Sequence, residues 1–324
     1  MTIKQIYDLA LSLGLKHDPR GEKIARKRLK NLKEEYDRLP PEAKKEFDLE
    51  RLNNPYSDTR VYFGDLNKQV KRVLVGIDIE TGELFLAKEI SKTKPIDLII
   101  SHHPTGPGLA SLFEVMDMRA ESLAMYGIPI SVAQGLFHLR IDEVARTVNP
   151  VNHNRTVDAA RILGLPLMSA HTATDNLVAD YLKKLLAREK NHVETIGDVL
   201  RLLKKIPEYA QAVKNKCGPR LFAGREENFS GKIALTELTG GTEGSKEIYE
   251  KMAQAGIDTI IGMHMSEEHK KEAEKHHINA IIAGHISSDS LGMNLFLDEL
   301  EKRGVEVIPC SGLIRVKRFK KGKK

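Results

Sequence analysis

The sequence predicts an α/β protein built of two α/β subdomains, each with a mixed or parallel sheet, preceded by a helical extension. Two observations carry this reading. Short apolar runs rich in β-branched residues recur along the chain, and helical stretches lie between several of them. VLVGIDI (73–79), DLIIS (97–101), PISVAQ (129–134), PLMSAH (166–171), KIALTEL (232–238), DTIIG (258–262) and NAIIAGH (279–285) read as core strands. Runs this continuous suit strands covered on both faces. KEIYEKMAQAG and EEHKKEAEKHH read as intervening helices, one ended by Gly and one by a His pair.

Five stretches follow from this grammar. Residues 1–70 form the helical extension: across 16–51 both charge signs mix densely, with Ile24, Leu29, Leu32 and Tyr36 as a thin apolar stripe, and two short helices part at Pro40-Pro41. Residues 71–175 form the first α/β half. Residues 176–231 are helical, with NLVADYLKKLLAREK and the amphipathic GDVLRLLKKI, up to a break at Cys217-Gly218-Pro219. Residues 232–314 form the second half, and 315–324 a basic tail. No internal repeat occurs at solenoid periods.

Composition excludes several classes. At 324 residues, 41% hydrophobic and 30% charged, the chain has no apolar run of the roughly 18 residues that a spanning helix needs. Its start lacks the order of a signal peptide, so a cytoplasmic protein without membrane contact is expected. Two cysteines, Cys217 and Cys310, build neither a disulfide framework nor a four-thiolate zinc site, so any metal must use His and carboxylates. The net charge of +6 sits in the last ten residues, RVKRFKKGKK, whose seven basic groups leave the rest at −1. Nucleic acid is therefore a partner only through that tail. With no Trp and 5% aromatics, a base-stacking surface is not favoured. The chain has no G-x-S-x-G elbow, which argues against serine covalent catalysis.

Three strand ends deliver histidines. DLIIS runs into His102-His103-Pro104, PLMSA into His171 and NAIIAG into His285; His-x-x-x-Asp then adds Asp175 and Asp289. In open α/β sheets ligands gather beyond the carboxyl ends of the strands. If helices begin there, each aspartate lies about one turn from its histidine. Nitrogen and carboxylate donors suit Zn, Mn, Fe or Ni, and a carboxylate bridges two cations as a single His does not. Adjacent residues of an extended chain face opposite ways, so His102 and His103 suit two metals better than one. The pattern points to two divalent ions per chain. His276-His277 close a helix and read as structural, since imidazole suits a helix C-terminus. The turn GGTEGSKE (240–247), with Gly240, Gly241 and Thr242, reads as a tight strand-to-helix turn or as a phosphate cradle.

At these residues the sequence resembles the Nif-three-like (NGG-one-interacting-factor-three-like) dinuclear metal centre family. The blocks are 73–106 with SHHPTG, 169–175 with SAHTATD, and 231–300 with AGHISSDS, in the family's order. The resemblance implies that His102 and His285 hold one metal, His103 and Asp175 the other, with Asp289 bridging at an interface between the two halves. His171, Asp78, Thr105 and His264 would then support the ligands or touch substrate. The bridging acid is usually Glu in that family, and Gly-Glu is common where Gly262-Met263 stands here. The resemblance further implies a homo-oligomer, a ring-shaped hexamer. It also suggests a metal-dependent hydrolase using a metal-bridging water, akin to a GTP cyclohydrolase one type two acting on a nucleotide. The alternative it offers is a regulatory or nucleic-acid-binding hexamer with structural metals.

Overall fold

Two sheets organise the chain, each made of parallel strands with one antiparallel edge. The computed structural model describes residues 1–319. The N-terminal stretch forms α1 (Ile3–Lys16), α2 (Glu22–Arg38) and α3 (Pro41–Glu46). Thr2 and Gln5 make a reciprocal capping box at the start of α1. Pro41 opens α3, where its missing N–H has no helical partner to lose. Then come β1 (Val61–Phe63), β2 (Arg72–Gly76), α4 (Thr81–Ser91), β3 (Leu98–Ser101), α5 (Gly106–Ala110), α6 (Asp117–Ala124), α7 (Ile130–Val148), α8 (Arg155–Leu163) and β4 (Leu167–Ser169). Three helices follow, α9 (Thr172–Glu189), α10 (Ile196–Leu203) and α11 (Pro207–Lys214), the first of them beginning ahead of residue 176. Next follow β5 (Arg220–Ala223), β6 (Ile233–Glu237), α12 (Ile248–Gln254), β7 (Thr259–Gly262) and α13 (Glu267–Lys275). The chain closes through β8 (Asn279–Ile282), α14 (His285–Lys302) and β9 (Glu306–Pro309).

The first sheet has the order β1-β4-β3-β2-β9, with only β1 antiparallel to its neighbour. The second has the order β5-β8-β7-β6, with only β5 antiparallel. Six of the seven apolar runs are strands. PISVAQ is not: it opens α7, with Pro129 as its N-cap. Ala133, Phe137 and Val144 are buried along that helix at helical spacing, and six apolar-looking residues cannot separate a strand from one turn of a longer helix. The sequence reading also lacks β1, β5 and β9. All three are edge strands with mixed burial, and so carry no continuous apolar run. β9 pairs with β2, so the stretch 232–314 supplies strands to both sheets.

α9 and α14 stand between the two cores. Leu177 of α9 and Met293, Phe296, Leu297 and Leu300 of α14 join the core under the first sheet, while Val178, Leu182, Leu185 and Leu291 join that of the second. Helices apolar on two sides must be covered on two sides, which fixes both between the layers. Their separation depends on Gly292: a Cβ there would lie 2.4 Å from the Thr174 carbonyl oxygen and 2.9 Å from a Val178 methyl.

The tail begins as a strap on the body. Arg315 donates to Asp298 and Glu301, Lys317 to Glu301, and Arg318 makes a forked pair with the fully buried Glu208. These three basic groups are matched by acids. The other four basic groups of the tail fall in residues 320–324, outside the described residues. Among the described residues, no helix is long and apolar enough to cross a membrane.

Candidate metal centre

β3, β4 and β8 end at one place, and the helices that follow β4 and β8 begin there. His102 and His103 follow β3, His171 caps α9 with Asp175 in its first turn, and His285 opens α14 with Asp289 one turn on. Gly284, at φ +104, turns the chain from β8 into α14 in a conformation that suits glycine. The two His-x-x-x-Asp phrases become i,i+4 pairs: His171 Nε2 lies 3.9 Å from Asp175 Oδ2, and His285 Nε2 lies 3.7 Å from Asp289 Oδ2.

Asp289 is the hub. Its Oδ1 lies 3.5 Å from His102 Nε2, which is 3.4 Å from Asp175 Oδ1. Its Oδ2 lies 3.4 Å from His103 Nε2. Two donors bound tetrahedrally at about 2.0–2.2 Å from one cation stand roughly 3.3–3.6 Å apart, so these spacings are those of ligands around a cation and not of direct hydrogen bonds. Three sets of donor atoms lie mutually within 4.8 Å: His102 with Asp175 and Asp289, His103 with His285 and Asp289, and His102 with His103 and His171. By distance, then, His102 groups with Asp175 and His103 with His285, a pairing that differs from the one implied by resemblance.

The imidazoles are held from behind. His102 Nδ1 bonds the Ala170 carbonyl at 3.1 Å, His103 Nδ1 bonds Asp78 Oδ1 at 2.7 Å, and His171 Nδ1 bonds Asp58 Oδ2 at 2.8 Å. With the outer nitrogen donating, the inner Nε2 lone pair of each ring is left for the centre, the arrangement found behind metal-bound histidines. Asp58 carries no sequence signal. It precedes β1, and only the antiparallel pairing of β1 with β4 brings it under His171. It also accepts from the Thr172 hydroxyl at 2.6 Å.

Four inward-facing atoms have no hydrogen-bond partner although fully buried: His102 Nε2, Asp175 Oδ1 and both oxygens of Asp289. Each such atom costs on the order of 1–3 kcal/mol, more when charged. Four such atoms at one point are what a cation would satisfy, so the donor set fits a metal. Charge agrees. Burial drives His102 down to about 4 and pushes Asp175 up to about 8. Burial also lowers His103, yet the neighbouring carboxylates of Asp289 and Asp78 outweigh it and lift it to about 10. Burial opposes the charge on Asp289, but His102, His103 and His285 hold it well below the ordinary carboxylate range. Burial lowers His285; His171 is raised against burial by Asp175 and Asp58.

Other expected residues fall in several places. Asp78 supports His103. Thr105 turns away, capping α5 and donating its hydroxyl to the His153 carbonyl. His264 packs edge-on against His285 at 5.1 Å between ring centres, on the exposed side. Met263, His264, Gly241 and Thr242 border a small cavity of about 20 Å³ with His171, Asp175, His285 and Asp289. The turn 240–247 holds protein and not an empty cradle: Arg119 donates to the Thr242 carbonyl and to Glu237, and a Cβ on Gly240 would meet Arg119 at 2.7 Å. His276 caps α13 and lies 3.4 Å from Glu272, the structural role expected of it.

The whole fold is similar to that of a NIF3 superfamily protein from Sphaerobacter thermophilus, at a TM-score of 0.75 and 23% identity over 97% of this chain and 99% of that one. It is also similar to reduced HcgD from Methanocaldococcus jannaschii, at a TM-score of 0.52 and 16% identity over 83% of this chain and 94% of that one. At these identities the likeness is one of fold. Among curated proteins none matches. A family model matches residues 142–311, a span that holds His171, Asp175, His285 and Asp289 and slightly more than half of the chain. The chain therefore belongs to the Duf34/NIF3 (NGG1p interacting factor 3) family.

Proposed function

We propose that the chain is a metal-dependent hydrolase with two divalent ions, one held by His102 and Asp175, the other by His103 and His285, with Asp289 bridging. The single observation behind this reading is the convergence of four buried, partnerless donor atoms at tetrahedral-edge spacing. When bound, such ions would supply Lewis acidity, lowering the pKa of water towards neutrality and stabilising charge on the attacked group. The chain's own residues do the rest. Ala170 and Asp78 fix His102 and His103 in the ligating tautomer, and Asp58 holds His171 beside Asp175. Asp289 and Asp175 supply negative charge in a place closed to bulk water, where it acts at low effective dielectric. His103 and His285 are the partly open side, with side-chain exposures of 26% and 42%, and a substrate approaches there.

The first substrate to assay is a purine nucleotide such as GTP, with ring opening as the reaction. Zn, Mn, Fe and Ni all suit the donors, so each is loaded in turn. Elemental analysis of protein purified without chelator tests the site: two ions in the native chain, one or none in His103→Ala and Asp289→Ala. Two ions retained in both variants would sink the assignment. A homo-oligomer, hexameric by the resemblance, and a cytoplasmic location belong to the same reading; sedimentation checks the first.

A further inference from the structure

The turn after α11 does more than join a helix to an edge strand. Lys216, Cys217 and Gly218 lie against the entrance to α14: a Cβ on Gly284 would meet the Cys217 carbonyl oxygen at 2.7 Å. Arg220 donates back to the Lys216 carbonyl at 2.8 Å, and Lys216 itself sits at φ 65, an uncommon conformation for a side chain of its size. The turn thus sits beside His285. Between it and β8 opens a cavity of about 350 Å³, within the range of small-molecule sites. It shares Met263, His264 and His285 with the small cavity over Asp175 and Asp289, so the two adjoin.

The chemistry of its walls is one-sided. Phe222, Met263, Met265 and Ile282 supply apolar lining, Lys216 and Arg220 bring two exposed cations, and among the described residues no Asp or Glu lines it. The two larger cavities beside α1 are different, since Asp18 and Asp180 line one and Asp180, Glu22 and Glu299 the other.

We infer that this cavity is a binding site for an organic phosphate with a flat apolar body, the body on Phe222 and Met263 and the dianion between Lys216, Arg220 and the open side of the centre. Two cations lining the same cavity as His285 suit a dianion better than a singly charged group, and a phenylalanine and two thioethers in one cavity suit a ring. The inference rests on the proposed metal centre only for the direction in which the phosphate points.

The test uses binding. Cys217 is exposed at the cavity wall, whereas burial pushes the Cys310 thiol up to about 11 and slows it, so peptide mapping after alkylation reports on Cys217. Phenyl phosphate is the probe, with phenol and inorganic phosphate as controls, in metal-loaded and chelator-treated full-length protein. Phenyl phosphate is expected to slow alkylation of Cys217 at least fivefold at saturation. Phenol should need at least tenfold higher concentration for the same effect. Arg220→Gln and Phe222→Leu should each weaken phenyl phosphate at least fivefold with bound metal unchanged. Protection in a protein that binds no metal would refute the metal centre and keep the cavity assignment. Two bound ions without protection, or equal protection by phenol, would overturn the inference and leave the centre standing.

Discussion

Gly292→Ala tests whether the spacing of α14 and α9 sets the metal centre. The new methyl would stand 2.4 Å from the Thr174 carbonyl, and real Cβ contacts essentially never fall below 3.0 Å, so roughly 0.6 Å or more must open between the helices. Alanine favours a helix over glycine by about 1 kcal/mol, while overpacking at a backbone contact costs about 1–3 kcal/mol, so a net loss of up to ~2 kcal/mol in stability is expected. The larger effect is on the site. Thr174 adjoins Asp175, and Asp289 lies one turn before Gly292, so the shift separates the two carboxylates that would close on one cation in the proposed centre. A built site tolerates about 0.5 Å. Titration with Zn or Mn followed by calorimetry should show at least a tenfold weaker first site, beside a modest fall in Tm. An unchanged affinity together with an equal or higher Tm would refute the argument, because the helices would then have room that the structure denies them.

Other consequences are testable in the same preparations. Asp58→Asn removes the charge behind His171 and should lower metal affinity about tenfold, as loss of an outer hydrogen-bond partner commonly does; no change in calorimetry would remove His171 from the site. At pH 7 the metal-free centre holds protons on His103, lifted to about 10, and on Asp175, lifted to about 8. Ligation needs the imidazole neutral and the carboxylate ionised, so loading should release about two protons and strengthen as pH rises from 6 to about 8, measured by calorimetry in buffers of different ionisation heat. Heats independent of buffer would contradict this. Arg318→Ala leaves the fully buried Glu208 without its cation and with Asn294 as a remaining donor, and should cost about 3 kcal/mol of stability in denaturant melts with metal stoichiometry intact.

Much of the site is legible in sequence because it is local: a strand end followed at once by His, and an acid one helical turn later, place ligand and partner on the same few residues. VLVGI, DLIIS and NAIIAG are continuous apolar runs, so their identity as core strands follows from burial on both faces. The alternation of strands and helices likewise determines the α/β class. What joins distant segments is not legible. Asp58 reaches His171 only through the pairing of β1 with β4, and the weak apolar signal of an edge strand hides that pairing. The return of β9 to the first sheet, the helical state of PISVAQ, and the grouping of His102 with Asp175 depend on which surfaces meet. The spacing of ligands depends on a glycine whose importance lies in the carbonyl opposite, more than a hundred residues away in sequence. Local periodicity thus determined which elements exist and where the donors sit along them, while the tertiary structure decided which donors face one another, because that distance is set by packing between helices that no local pattern encodes.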